Sequence, residues 1–168
     1  INGSVDLESE PGKGSQIIIK LPLTIAIIQA LMVEVERSIF AIPLSTVIEA
    51  VRISRSEIKT INGREVLHLR DRVLPLIRLA QEFDIPTDSN RERFYVVVAA
   101  LGDRRVGVVV DELRSQEEVV IKSIWDYLET VKGVSGATIT GEGKVVLILD
   151  TSELVQNAQA WHNPGIAA

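Results

Sequence analysis

Short apolar runs separated by turn residues recur along this chain, and that rhythm leaves few folds open to it. Val73 to Ile77, Phe94 to Ala100, Val106 to Val110 and Val145 to Leu149 are strand-length segments, and turn signals stand at Asn62-Gly63, Gly102-Asp103 and Gly141-Glu142-Gly143. Leu31, Val33 and Val35 alternate with Met32, Glu34 and Glu36, the pattern of a half-buried strand. The later runs lack strict alternation, so both of their faces are expected to be covered, by a sister sheet or by another protein. Many short strands with tight turns fit small barrels, which remove the exposed edges an open sheet must protect.

The rhythm also repeats. Ala41 matches Gly107 at an offset of 66, Ala50 to Ile53 matches Glu118 to Ile121 at 68, and Arg72 to Ile77 matches Lys144 to Leu149 at 72. Drift of this size is what loop insertions produce. The match reads either as duplication of a five-strand unit or as the regular spacing that any small all-β chain shows. Two barrels of about 60 residues each have thin cores alone, so burial between them is expected.

Other local signals fill in the outline. Ser4 to Ser9 and Gln16 to Leu21 flank a Pro11-Gly12-Lys13-Gly14 turn. A lone hairpin buries too little to be stable, so this one is expected to complete a domain lying upstream. Leu23 to Gln29 is too apolar for a flexible linker; Leu23, Ile25 and Ile27 are expected either to pin the hairpin to the first barrel or to leave it mobile. Thr46 with Glu49 predicts a capped short helix ending near Ala50, Leu79 to Phe83 a helical turn, and Ser123 to Val131 a helix. Pro86 to Arg93 marks a boundary loop, and Asp150 with Glu153 a cap for a last helix.

Composition narrows function mainly by exclusion. A formal net charge of -5 argues against a broad nucleic-acid surface, and the absence of cysteine removes disulfides, thiolate catalysis and thiolate metal sites. The longest apolar stretch, Leu21 to Val35, is broken by Thr24, Gln29 and Glu34, so no membrane insertion is expected, and the N-terminus lacks a signal-peptide pattern. His68 falls on the polar phase of its strand and His162 in a tail, far from any ligand cluster. Glu34 with Glu36, Asp111-Glu112 and Glu117-Glu118 read as solvated or hairpin-end groups. Thr24, Ser45 and Ser152 have no histidine placed to activate them. No catalytic or metal residue is therefore named. Gly12-x-Gly14 lacks the rest of a dinucleotide fingerprint or P-loop.

Four motifs carry a resemblance. Gly14-Ser-Gln-Ile-Ile-Ile-Lys-Leu-Pro-Leu-Thr-Ile-Ala-Ile, Phe40-Ala-Ile-Pro-Leu, Val109-Val-Asp-Glu-Leu through Gln116-Glu-Glu-Val-Val-Ile-Lys122, and Gly133-Val-Ser-Gly-Ala-Thr-Ile-Thr-Gly-Glu-Gly143 into Leu149-Asp150 occur in that order. Together they resemble the C-terminal part of the chemotaxis histidine kinase CheA family. The resemblance implies an all-β fold of two SH3-like five-stranded barrels, like the adaptor CheW, with short helices and an N-terminal hairpin. It implies a remnant of the ATPase domain at 1–22, a connector at 23–30, the regulatory domain at 31–155 with a barrel boundary near 86–93 and possible strand exchange, and a tail at 156–168. Gly12 and Gly14 would belong to the family's last glycine-containing nucleotide motif, although Ser15 replaces the usual threonine and Ile17 a frequent phenylalanine. The magnesium-binding asparagine, the adenine-pocket aspartate and the phosphorylatable histidine domain are not in this sequence, so this stretch alone is expected neither to bind a cofactor nor to act as an enzyme. ATP and Mg2+ are implied for the parent kinase.

The implied partners are a CheW-type adaptor, the cytoplasmic tips of chemoreceptors and the parent ATPase domain, in a cytoplasmic protein recruited to receptor arrays. Contact candidates are Val106, Val108, Leu113, Ser115 and Gln116, each with core packing or hairpin-end geometry as the competing role. A standalone CheW-like adaptor is the alternative.

Overall fold

The computed structural model describes residues 4–20, 27–87, 91–121 and 131–160. Strands β1 (Ser4–Glu10) and β2 (Gly14–Lys20) form an antiparallel hairpin that sets Leu7 opposite Ile17. Gly12 and Gly14 hold φ of +83° and +114°, backbone that favours glycine, and their surroundings are open. Conformation rather than crowding therefore accounts for both glycines.

The remaining strands are β3 (Ile27–Val35), β4 (Ser38–Pro43), β5 (Val47–Ser54), β6 (Ile58–Ile61), β7 (Arg64–Leu69), β8 (Arg72–Arg78), β9 (Arg93–Leu101), β10 (Arg104–Val110), β11 (Glu112–Val120), β12 (Val134–Ile139) and β13 (Val145–Leu149). Helix α1 (Leu79–Glu82) follows β8, and α2 (Thr151–Ala160) follows β13. Several expectations are corrected here. The end of the connector, Ile27 to Ala30, is already strand, and the start of the tail is helix. Beneath β3, Leu31, Val33 and Val35 enter one core while Met32 and Ala30 enter another, so both faces of that strand are covered. Glu36 does not continue it: its φ of +54° starts the turn into β4.

The predicted Thr46–Glu49 helix is a single 3-10 turn, Leu44–Thr46, closed by the Thr46 hydroxyl donating to the Pro43 carbonyl at 2.8 Å. Pairing of β5 with β9 overrides the helical pattern, and Glu49 turns instead to Arg70. The Asp150 cap does form: its carboxylate accepts the Glu153 N–H at 3.0 Å, while the Glu153 carboxylate accepts the Gly133 N–H at 2.8 Å. Most of the Ser123–Val131 helix, and Leu23 and Ile25, lie outside the described residues.

Sheet order carries the duplication. One sheet runs β5-β9-β10-β8-β7-β6 and the other β11-β3-β4-β13-β12. Adding 66 to β3, β4 and β5 gives the places of β9, β10 and β11, so the five-strand orders coincide. The parallel contacts coincide too: Gly107 pairs with Leu76 and Ala41 with Ile148, residues offset by 66 and 72. On β5 and β11 the register sets the structural offset at 66, placing Arg52 where Glu118 stands, rather than the 68 suggested by sequence.

The barrels are not the two halves of the chain, however. Hairpin β3–β4 sits among second-half strands and hairpin β9–β10 among first-half strands, so each sheet is built from both. A central core including Val33, Ile42, Val97, Val108, Leu149 and Leu154 joins them. Smaller clusters fill each barrel, around Leu74, Leu76 and Val96 in one and Met32, Ala41 and Ile148 in the other. The exchange supplies the burial that two thin barrels lack separately.

Candidate functional site

The contact candidates separate by burial. Val106 and Val108 are 0% exposed and belong to the central core. Their expected role at a partner surface is thus corrected: on β10 they face the opposing sheet, and a partner cannot reach them. Leu113 is half-buried against the same core, whereas Ser115 and Gln116 are exposed where the β11–β3 register jumps between Leu113 and Gln116. The Ser115 hydroxyl donates to Glu117 at 2.6 Å.

Two other surfaces stand out. At the start of β8, Val73 is 55% exposed and lies opposite His68; at the start of β13, Val145 is 68% exposed and lies opposite Ile139, itself 51% exposed. Val73 and Val145 correspond at the offset of 72. Each shares a strand face with residues further along that enter the central core, Ile77 in one barrel and Leu149 in the other. Each barrel therefore carries its core-forming face past the cover its sister provides. In the first barrel the Arg70–Glu49 ion pair at 2.9 Å ties the β7–β8 turn to β5 beside this end. Neither valine is among the contact candidates read from the sequence: each begins an apolar run, and nothing in the pattern marks where the cover stops.

Where the chain crosses from β10 to β11, Asp111 is half-buried and partnered within the protein rather than solvated. One oxygen accepts the Glu36 N–H at 2.6 Å and the other faces Arg91 Nε at 3.3 Å, while the Asp111 N–H donates to the Glu34 carbonyl at 2.9 Å. Glu34 also pairs with Arg114. These carboxylates organise a junction. Glu112, Glu117 and Glu118 are exposed, as are His68 and Ser45, and Ser152 is partly buried. Thr24 and His162 lie outside the described residues. Among the described residues no group of three His, Cys, Asp or Glu side chains converges as metal ligands. No helix among them is long and apolar enough to cross a membrane.

Against known proteins, residues 29–159 match the CheW-like domain family. The chain is 48% identical over 162 residues to the sensor histidine kinase CheAY of Helicobacter pylori, covering 95% of this chain and 20% of that protein. With the chemotaxis protein CheA of Bacillus subtilis the identity is 42% over 156 residues, covering 92% and 23%. The chain thus spans about a fifth of the length of these curated relatives. Among solved structures, the scaffolding protein TtCheW from Thermoanaerobacter tengcongensis superposes with a TM-score of 0.65 at 16% identity, covering 74% of this chain and 90% of that one. That likeness concerns the fold.

Proposed function

This chain belongs to the CheW-like domain family, and we propose that it is the regulatory, scaffolding portion of a chemotaxis sensor histidine kinase. In this reading it binds a CheW-type adaptor and the tips of chemoreceptors, coupling receptor state to ATP-dependent autophosphorylation elsewhere in the parent protein. The observation carrying the proposal is alignment of 95% of the chain with a protein named sensor histidine kinase CheAY and of 92% with one named chemotaxis protein CheA. A standalone adaptor is disfavoured by that same coverage.

The barrel ends supply the physical means of binding. Val73, and Val145 with Ile139, are aliphatic groups left partly open at corresponding ends of two barrels. Covering such groups with the end of another small barrel removes apolar surface from water at about 25 cal/mol per Å². Ser115 and Gln116, with half-buried Leu113, add a polar contact strip on β11. The hairpin fits the same account: Leu7 and Ile17, opposite one another and 67% and 65% exposed, need cover that the parent ATPase domain would provide. Gly12 and Gly14 would then lie near that domain's nucleotide, with ATP and Mg2+ held by residues outside this chain.

Deletion of residues 27–160 from a CheA protein carrying this segment tests the coupling. Basal ATP-dependent autophosphorylation is expected to persist while the response to adaptor and receptors disappears. A response undiminished by the deletion would refute the proposal. The 168-residue chain alone is expected to turn over no more ATP than a heat-treated control, because aligned phosphoryl donor and acceptor groups are not supplied by two glycines.

A further inference from the structure

A recess of about 500 Å3 lies between the β5–β9 pair and the start of β11. Arg52 on β5 is opposite Tyr95 on β9, and Ser54 is opposite Arg93. Residues 52, 54, 93 and 95 therefore project from one face, with Arg52 and Arg93 as diagonal neighbours about 7–8 Å apart. The Arg52 guanidinium stands 6.0 Å from the centroid of the Tyr95 ring, near enough for a weak cation–π contact. Leu113 lines the far wall.

Charge in the recess is divided unequally. Arg91 is engaged by Asp111, whose second oxygen holds the Glu36 N–H, so those two side chains are committed to the junction. Among the described residues, Arg52 and Arg93 have no carboxylate partner. Two guanidinium groups placed diagonally on an antiparallel ladder repel, and an anion set between them removes that cost while making charge-assisted hydrogen bonds. Glu92 and Glu112 also line the recess and oppose a compact dianion such as phosphate. Carboxylates separated along a chain avoid that opposition.

We propose that this recess binds an acidic, extended segment of a partner polypeptide, with carboxylates at alternate positions engaging Arg52 and Arg93. Alternate side chains of an extended strand share a face and are about 6.6–6.8 Å apart, close to the diagonal spacing of the two arginines. The Tyr95 ring between them packs against the methylenes of a glutamate side chain. This site is separate from the exposed valines at the barrel ends and does not depend on adaptor binding.

Fluorescence anisotropy of the full 168-residue chain with a labelled Gly-Ser-Glu-Thr-Glu-Ser-Gly peptide tests the assignment. Saturable, salt-sensitive binding is expected. It should weaken about tenfold or more when both peptide glutamates become glutamine, and likewise for the Arg52→Gln/Arg93→Gln variant. Arg104→Gln/Arg105→Gln, at the exposed start of β10, should bind like wild type. Thermal unfolding verifies that the variants fold; if the Arg52/Arg93 double variant does not, Arg52→Gln and Arg93→Gln separately provide the comparison. No binding, equal binding of the glutamine peptide, insensitivity to both arginines, or displacement by inorganic phosphate at lower concentration than by unlabelled peptide would overturn the proposal.

Discussion

Gly107 shows how one atom decides packing in a duplicated fold. A Cβ there would meet Leu76 Cδ2 at 2.6 Å and Val96 Cγ1 at 2.7 Å, so even a methyl group needs its neighbours to move. The corresponding residue in the other barrel is Ala41, and the residue corresponding to Val96 is Ala30, which has no γ-carbons to collide with it. One barrel sets glycine beside valine where the other sets two alanines. Gly107→Ala is therefore expected to destabilise the fold by about 1–3 kcal/mol in urea unfolding, with Val96→Ala restoring part of the loss. Additive losses in the double variant would show that the two positions do not share this space. Sequence comparison made the Ala41–Gly107 correspondence legible, but not the reason for glycine, because Leu76 is distant in sequence and both it and Val96 meet Gly107 only through strand pairing. Capping was similarly ambiguous: Thr46–Glu49 and Ser54–Glu57 both show the Ser/Thr-x-x-Glu pattern. Only the second forms a capping box, with Ser54 N–H donating to Glu57 at 2.7 Å, and that bond first, then the Ser54 hydroxyl, holds the Glu57 pKa below the ordinary glutamate range. Its stabilising contribution is present above the unfolded-state pKa and is lost as pH falls through the depressed folded value. A Glu57 carboxyl midpoint by NMR at or above the ordinary range would contradict that linkage.

At the scale of elements, the junction at Asp111 joins pieces that sequence order leaves far apart. Its carboxylate holds the β3–β4 turn and Arg91 ahead of β9, while its backbone passes the chain from one sheet to the other. Asp111→Ala strands a partly buried N–H and a guanidinium, and is expected to cost about 1–3 kcal/mol, with faster amide exchange around Glu36. Asp111→Asn, which keeps an acceptor for Glu36, should cost less; equal stability of all three proteins would remove the junction from the account. Strands were legible wherever apolar runs ended at turn residues, as at β8, β9, β10 and β13. The crossing role of Asp111 was not, because an aspartate after a valine run reads equally well as a solvated strand end. The Arg52, Arg93 and Tyr95 recess escaped detection for a related reason: alternation places each arginine on a face, but only register brings the faces together.

Across the whole molecule, local periodicity predicts strands but not the exchange of hairpins between sheets, since β3 and β9 carry similar apolar patterns and either could complete either barrel. Their interdigitation makes one central core out of two small ones, and it buries Val106 and Val108, for which the resemblance left partner contact and core packing as competing roles. The aliphatic groups left open at corresponding barrel ends are Val73 and Val145. Isothermal titration of the 168-residue chain with a CheW-type adaptor tests this most directly, comparing wild type with Val73→Asp and Val145→Asp after thermal unfolding has shown each to be folded. The account predicts measurable binding that at least one of these changes weakens by about tenfold or more, as expected for an aliphatic anchor replaced by a charge. A folded wild-type chain that binds no adaptor, or adaptor affinity untouched by both substitutions, would contradict it.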